Sequence, residues 1–153
     1  MESTLTRDYT VLRLEEMEAA FGGLFVRVRA SLGLTAFGIQ VADIPPNSAD
    51  MYPEHDHGHD GQEEVYVLLR GSASLQLPDR VVALDPETFV RVGPHTRRRL
   101  RSGEDGARVL MIGGTPGHAY EPQENTPLGG PETLPCPTAS TSLVPGGAPA
   151  QLP

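Results

Sequence analysis

Three histidines on alternate residues and two glutamates fall within ten positions, and all five side chains can bind metal ions or move protons. The histidines are His55, His57 and His59, and the glutamates are Glu63 and Glu64. Side chains two residues apart project from one face of an extended strand, so the imidazoles could aim at a common point. Imidazole nitrogens with a carboxylate oxygen suit divalent zinc, iron, manganese, nickel or copper. The cluster therefore predicts a metal site, and the alternative interpretation is a polar, histidine-rich turn.

The residues after the cluster predict a strand that places one glutamate on an inner face. The apolar run Val65–Leu69 follows Glu64 directly. Because adjacent strand residues face opposite ways, an inward Glu64 puts Tyr66 on the same face and Glu63 on the outside. We expect Glu64 and His57 to be the acid/base residues of any catalysis. Tyr66 would fill the core or donate a hydrogen bond to a ligand.

The charge and composition of the chain argue against several classes of partner. It has 153 residues and a net charge of −8, which disfavours nucleic acid and anionic membranes, since both attract basic surfaces. All twelve basic residues are arginines, so a lysine Schiff base is excluded and bidentate contacts to carboxylates are favoured. The sequence has no hydrophobic leader, no apolar stretch of about 18 residues and a single cysteine, Cys136, which together predict a soluble cytoplasmic protein.

Short β-like runs separated by turn residues predict an all-β sandwich, barrel or jelly roll. The expected strands are Leu24–Val28, Thr35–Val41, Val65–Leu69, Ala73–Leu77, Val81–Leu84, Phe89–Val92, Arg97–Arg101 and Arg108–Ile112. Ahead of them, the spacing of Val11, Leu14 and Met17 predicts a short helix over Val11–Ala20.

Composition divides the chain into three parts. Residues 1–34 are expected to form an N-terminal extension that packs on a barrel of residues 35–115. Residues 116–153 hold nine of the fifteen prolines and two Gly-Gly pairs, so this tail has few groups to bury. We expect it to be partly or wholly disordered, with Tyr120 anchoring its first part to the domain.

The run His55–Gly71 resembles the first sequence motif of the cupin superfamily, in which His-x-His, a short gap and Glu are followed by six residues and Gly. Glu64 and Gly71 have the required spacing. The resemblance covers roughly residues 40–113 and implies a double-stranded β-helix, a small jelly-roll barrel with its site inside. It does not select a function, because cupins include dioxygenases, isomerases, decarboxylases and pure binding proteins.

The resemblance leaves two sets of metal ligands open. His57 and His59 have the usual gap of four residues before Glu64. His55 and His57 require a longer loop, which a turn at Asp60 could supply. We expect His55, His57 and Glu64 to be the ligands, with His59 as the alternative.

The second cupin motif is degenerate. Its four defining positions, which are normally Gly, Pro, Gly and His, fall on Glu87, Gly93, His95 and Arg98. Arg98 replaces the fourth metal-binding histidine, and a protonated guanidinium cannot ligate a cation. At about 5 Å from a divalent ion it would be repelled by roughly 6–7 kcal/mol, for an effective dielectric of about 20.

Three functions remain open at the level of the sequence. The first is a metal-dependent cupin enzyme that acts on a small molecule. The second is a metal-free cupin that binds or isomerises a small anionic ligand through Arg98 and Glu64. The third is a non-catalytic binding module. Cupins commonly pair through their outer sheet faces, so a homodimer is expected, with the outward apolar residues Val65, Val67 and Leu69 and the segment before residue 42 as the candidate contact.

Overall fold

The computed structural model describes residues 8–48 and 51–133, and most of the regular structure in them is β-strand. The predictions that concern residues 1–7 and 134–153, including the one for Cys136, lie outside the described residues. In the described part, no helix is long and apolar enough to cross a membrane. The described ranges contain one α-helix, two 3-10 helices and seven strands, whose bounds are as follows. The 3-10 helices are Leu14–Glu16 and Phe21–Gly23, the α-helix α1 is Val28–Leu32, and the strands are β1 (Ala19–Ala20), β2 (Phe25–Val26), β3 (Gly38–Ile44), β4 (Glu63–Gln76), β5 (Val81–Leu84), β6 (Phe89–Val92) and β7 (Arg99–Gly114).

The two longest strands, β4 and β7, form the centre of the fold. They pair antiparallel along their full length, from Glu63 opposite Gly114 to Gln76 opposite Arg99. Each replaces two of the short strands that the sequence predicted. Irregularities in the register, between Leu68 and Arg70 and again after Gly71, bend this long ribbon.

Gly71 lies at this bend in β4, and only glycine suits the position. Its φ is +81°, in the left-handed region that other residues rarely adopt. A Cβ atom at this position would lie 2.1 Å from the carbonyl oxygen of Gly106. The glycine that closes the histidine–glutamate motif therefore allows the two long strands to approach each other.

All seven strands belong to one antiparallel sheet. Its order is β1-β2-β3-β7-β4-β5, and β6 pairs with β4 off this path. Strand β4 pairs with β6 along its first half and with β5 along its second half. Among the described strands, the two ends of the order do not pair, so the sheet is not closed. The prediction of an all-β chain with little helix is confirmed.

Strand alternation separates an inner core from a smaller outer one. The inner core is made of side chains from the five strands β3 to β7: Ala42, Ile44, Tyr66, Leu68, Ala73, Leu75, Leu84, Val92, Leu100, Ala107, Val109 and Met111. The outer core is formed by Val26, Val28 and Val41, with Leu14 and Met17 packed against it. Residues from the N-terminal part of the chain thus cover the outer face of β3.

The helix predicted over Val11–Ala20 is largely wrong. Only Leu14–Glu16 is helical, as a single 3-10 turn. Val11, the first residue of the apolar spacing, is 81% exposed, so the apolar stripe is too short to hold a longer helix against the sheet.

The strand predicted over Leu24–Val28 is also shorter than expected. Pairing with β3 covers only Phe25 and Val26. The chain then turns into α1, which begins at Val28 and ends at Leu32, where Gly33 in the left-handed conformation stops the helix.

The first part of the Pro/Gly-rich segment is held by buried contacts to the N-terminal part. Arg27 is 3% exposed, and its guanidinium donates to the carbonyl oxygens of Asn125 at 2.9 Å and Gly130 at 2.8 Å. The same guanidinium pairs with Glu18, whose carboxylate accepts a hydrogen bond from the backbone N–H of Gly129. The segment up to residue 131 is therefore connected to the domain.

Candidate metal and anion site

Ligand atoms of His55, His57 and Glu64 come together at one end of the inner face. Nε2 of His57 lies 3.4 Å from Oε2 of Glu64, and Nε2 of His55 lies 3.7 Å from the same oxygen. One ligand atom from each residue lies within 4.8 Å of the others. Ligand atoms arranged tetrahedrally about 2.1 Å from a zinc ion are about 3.4 Å apart. The spacing therefore suits a shared metal ion.

Backbone hydrogen bonds position the two histidines beside Glu64. His55 exchanges a pair of backbone hydrogen bonds with Arg98, at 3.0 and 2.9 Å, as an isolated bridge. The backbone N–H of His57 donates to the carbonyl oxygen of Pro94 at 2.8 Å. Glu64 is the second residue of β4 and lies opposite Gly113 of β7. The loop that carries the histidines is thus fixed to the turn before β7.

The hydrogen bonds of the two rings determine which nitrogen faces Glu64. Nδ1 of His57 lies 3.1 Å from a carboxylate oxygen of Asp60, and Nδ1 of His55 lies 3.1 Å from the carbonyl oxygen of Pro53. Both partners only accept, so each Nδ1 carries a hydrogen; a neutral ring then directs the lone pair of Nε2 at Glu64, and a protonated ring directs an N–H there. Two lone pairs and a carboxylate oxygen that converge require a cation or a proton between them.

The buried state of His57 adds to this requirement. Its Nε2 is buried and has no hydrogen-bond partner among the described residues, although Oε2 of Glu64 lies 3.4 Å away. A buried nitrogen without a partner is costly unless a further group meets it. The residues present therefore fit a divalent metal of the kind that imidazole and carboxylate prefer.

Asp60 orients His57, and the sequence assigned it only a turn. Its carboxylate also accepts hydrogen bonds from the backbone N–H of Gln62 at 3.1 Å, the side chain of Gln62 at 2.8 Å and the side chain of Gln123 at 3.2 Å. A carboxylate behind a ligand histidine fixes the tautomer and raises its basicity as a ligand. The sequence does hold one signal that could identify Asp60 as this partner, namely a carboxylate three residues after the candidate ligand His57.

Arg98 lies inside the site, next to Glu64. Its side chain is fully buried, at 0% exposure, and Nε lies 3.3 Å from Oε2 of Glu64. Nη1 donates to the carbonyl oxygen of Thr96 at 2.8 Å. Nε and Nη2 have no hydrogen-bond partner in the described part of the chain. The guanidinium thus brings a positive charge and an unused donor to the same end of the inner face.

Tyr66 is engaged by Glu64. The tyrosine is 1% exposed, and its hydroxyl donates to Oε2 of Glu64 at 2.6 Å. Burial raises the pKa of the Tyr66 hydroxyl well above its usual value, and the adjacent Glu64 carboxylate raises it further. The phenol therefore stays protonated and holds the carboxylate in place.

Burial and neighbouring charges shift the pKa values of Glu64 and His57 in opposite directions. Burial alone would raise the pKa of the Glu64 carboxyl, but His55 and His57 outweigh it and hold that pKa well below its usual range. Burial works to lower the pKa of His57, but the carboxylates of Glu64 and Asp60 raise it overall. Glu64 is therefore anionic at neutral pH and attracts cations.

His59, the alternative ligand, lies further out. Its side chain is 43% exposed, and its Nε2 contacts Oδ2 of Asp60 at 3.4 Å. With His57 and Asp60 it forms a second group whose donor atoms lie within 4.8 Å of one another. The structure thus brings His55, rather than His59, together with Glu64.

Solved structures resemble this chain in fold, whereas no family model and no curated protein matches its sequence. A cupin protein from Bacteroides fragilis has a TM-score of 0.57 and 18% identity, over 77% of this chain and 93% of that one. A sugar phosphate isomerase of the cupin superfamily from Silicibacter pomeroyi has a TM-score of 0.53 and 14% identity, over 68% of this chain and 74% of that one. At these identities the likeness shows the fold alone.

Proposed function

We propose that this protein, which has the cupin fold, holds one divalent transition metal ion through His55, His57 and Glu64 and receives a small organic anion on Arg98. The observation that carries the proposal is the convergence of the Nε2 atoms of His57 and His55 on one carboxylate oxygen of Glu64, at 3.4 and 3.7 Å. Zinc, iron, manganese, nickel and copper all accept such ligands.

The residues around the ligands have distinct roles in this proposal. Asp60 keeps Nε2 of His57 free to ligate, and Tyr66 fixes the orientation of the Glu64 carboxylate. Arg98 offers Nη2 to an anionic group of the ligand and keeps it near the metal ligands. When bound, the ion would supply Lewis-acid or oxygen-activating chemistry.

The charge of Arg98 sets the expected strength of metal binding. At about 5 Å, a guanidinium repels a divalent ion by roughly 6–7 kcal/mol for an effective dielectric of about 20. Glu64 offsets part of this repulsion, because its low pKa keeps it anionic beside both groups. We therefore expect weaker metal binding than a site with a fourth histidine would have.

A metal-free binding or isomerising protein is the second candidate, and the position of Arg98 favours it. With Nε 3.3 Å from Oε2, the guanidinium compensates the buried Glu64 carboxylate without an ion. His57, whose pKa is raised, would then carry the proton between itself and Glu64. Glu64 and His57 would act as base and acid, and Arg98 would bind the anion.

Metal content of untagged full-length protein, measured by inductively coupled plasma mass spectrometry, tests the proposal. We expect a transition metal near one per chain, lost in His57→Ala and kept in His59→Ala and in the exposed control His95→Ala. Absence of metal in the wild type after reconstitution would reject the metal site. Ligand binding that survives chelators but is lost in Arg98→Ala would then support the second candidate.

A further inference from the structure

We infer that Gln40 is a ligand-recognition residue on the inner face of the sheet, and that the ligand is a small hydroxy acid, with an anionic group on Arg98 and a hydroxyl group on Gln40. This rests on the proposed function, because Arg98 supplies the anionic subsite. Gln40 lies on β3, outside both groups of metal-ligating side chains.

The side chain of Gln40 is buried without hydrogen bonds. It is 8% exposed, and neither Oε1 nor Nε2 has a hydrogen-bond partner among the described residues. An amide that is removed from water without a partner lowers stability, so each such group calls for an explanation. A hydrogen-bonding group on a ligand is an explanation that fits a site in the same interior.

Strand pairing places Gln40 on the inner face. It lies opposite Met111 of β7, which lies opposite Tyr66 of β4. Directly paired residues of antiparallel strands share a face, and Met111 and Tyr66 both belong to the inner core. Gln40 is therefore on the same face as Tyr66, two strands away, which is about 10 Å across the sheet.

The adjoining row of the sheet connects Gln40 with the candidate metal ligands. In that row Gly38 pairs with Gly113, and Gly113 pairs with Glu64. Because neither glycine has a side chain, the side chains of Tyr120 and Gln62 come close to the backbone at Gly38 and Gly113, respectively. The Tyr120 hydroxyl oxygen would lie 2.8 Å from a Cβ at Gly38, and Oε1 of Gln62 would lie 3.1 Å from one at Gly113. The Tyr120 hydroxyl and the Gln62 amide oxygen thus lie beside the row between Glu64 and the strand of Gln40.

The two unused polar groups define the class of ligand. Arg98 contributes a cationic donor, Nη2, which favours a carboxylate. Gln40 can donate and accept at once, and a hydroxyl group is the simple partner that also does both. A second carboxylate at Gln40 would leave Oε1 facing a negative charge. A hydroxy acid therefore satisfies both residues, whereas a simple acid satisfies only Arg98.

Matched pairs of acids test the inference with the full-length protein as purified. The probes are malate with succinate and 4-hydroxybutyrate with butyrate, whose members differ by one hydroxyl group. We expect isothermal titration to show at least about tenfold tighter binding of one hydroxy acid than of its partner, since sites built to bind a hydroxyl reject analogues without it. Gln40→Met should reduce this ratio to within about twofold and leave the affinity for the simple acid unchanged.

Thermal unfolding without ligand supplies a second readout. Methionine resembles glutamine in shape but has no amide, so Gln40→Met should leave the melting temperature unchanged or raise it. Gln62→Met is the comparison, because its amide donates to Asp60 at 2.8 Å and its loss should lower the melting temperature.

Three results would overturn the inference: no hydroxyl preference in either pair, a preference that persists in Gln40→Met, or a lower melting temperature for that variant. The metal content of the wild type shows separately whether the proposed metal site is correct, whatever the result for Gln40. A wild type without metal that still shows a Gln40-dependent preference would reject the metal proposal alone.

Discussion

Asp60 and His57 are joined by a 3.1 Å contact between Oδ1 of the carboxylate and Nδ1 of the imidazole, and this contact turns the other ring nitrogen toward Glu64. The same aspartate accepts a hydrogen bond from Gln123, which belongs to the Pro/Gly-rich segment after the last strand. The orientation of a candidate metal ligand therefore depends on a residue that lies far from it in the sequence.

Replacing Asp60 with alanine should weaken metal binding by about 10–100-fold, because the tautomer of His57 would no longer be fixed. Gln123→Ala should have a smaller effect in the same direction. Competition with a chelating dye would give the affinities. Asp56→Ala is the matched control, since its carboxylate contacts Gly58 and Arg97 instead. Equal affinities for Asp60→Ala and wild type would show that Asp60 does not act on the metal.

Replacing Arg98 with histidine should strengthen metal binding by at least about tenfold, or about 1.4 kcal/mol. Position 98 lies opposite His55, so a histidine there would remove the repulsive charge and add an imidazole beside the other ligands. Arg98→Leu separates the two effects, because it removes the charge and adds no ligand. Binding of simple carboxylic acids should be lost in both variants. Tighter metal binding by wild type than by Arg98→His would contradict the geometry.

The spacing of residues was enough to predict much of the fold. Strands β5 and β6 begin and end where turn residues predicted, at Val81–Leu84 and Phe89–Val92. The continuity of β4 through Gly71 was not predictable, because the positive φ there depends on the close approach of Gly106 in another strand.

The candidate site also has residues that the sequence could predict and residues that it could not. His55, His57 and Glu64 could be found because one stretch of ten residues carries all three, with the two histidines on alternate positions and Glu64 at the start of the apolar run. Gln40 could not, because its place on the inner face depends on cross-strand pairing, and Asp60 offered only its spacing from His57, since the sequence does not show which ring nitrogen its carboxylate meets.

Gly71→Ala should destabilise the protein by at least about 2 kcal/mol, because it combines a left-handed backbone with a collision against Gly106. Urea unfolding followed by circular dichroism would measure the loss. Gly117→Ala is a matched control, with a similar positive φ of +71° but no atoms within 4 Å of the added Cβ. It should cost only about 1–2 kcal/mol. Similar losses in both variants would remove the collision as a cause.

Glu18 connects the Pro/Gly-rich segment to the domain through its charge. The backbone N–H of Gly129, followed by the guanidinium of Arg27, lowers the pKa of its carboxyl from the usual 4.5. A carboxyl with a depressed pKa in the folded state stabilises the protein above its unfolded pKa and loses this contribution as the pH falls through the folded value.

Glu18→Gln should therefore unfold at a lower urea concentration than wild type near pH 7, and this difference should shrink toward about pH 3. Glutamine keeps an acceptor for Gly129, so the comparison isolates the charge that meets Arg27. Urea midpoints at both pH values would measure it. Hydrogen exchange of residues 125–131 should become faster in the variant at neutral pH. A difference in midpoint that stays constant between the two pH values would show that the ionisation of Glu18 does not stabilise this contact.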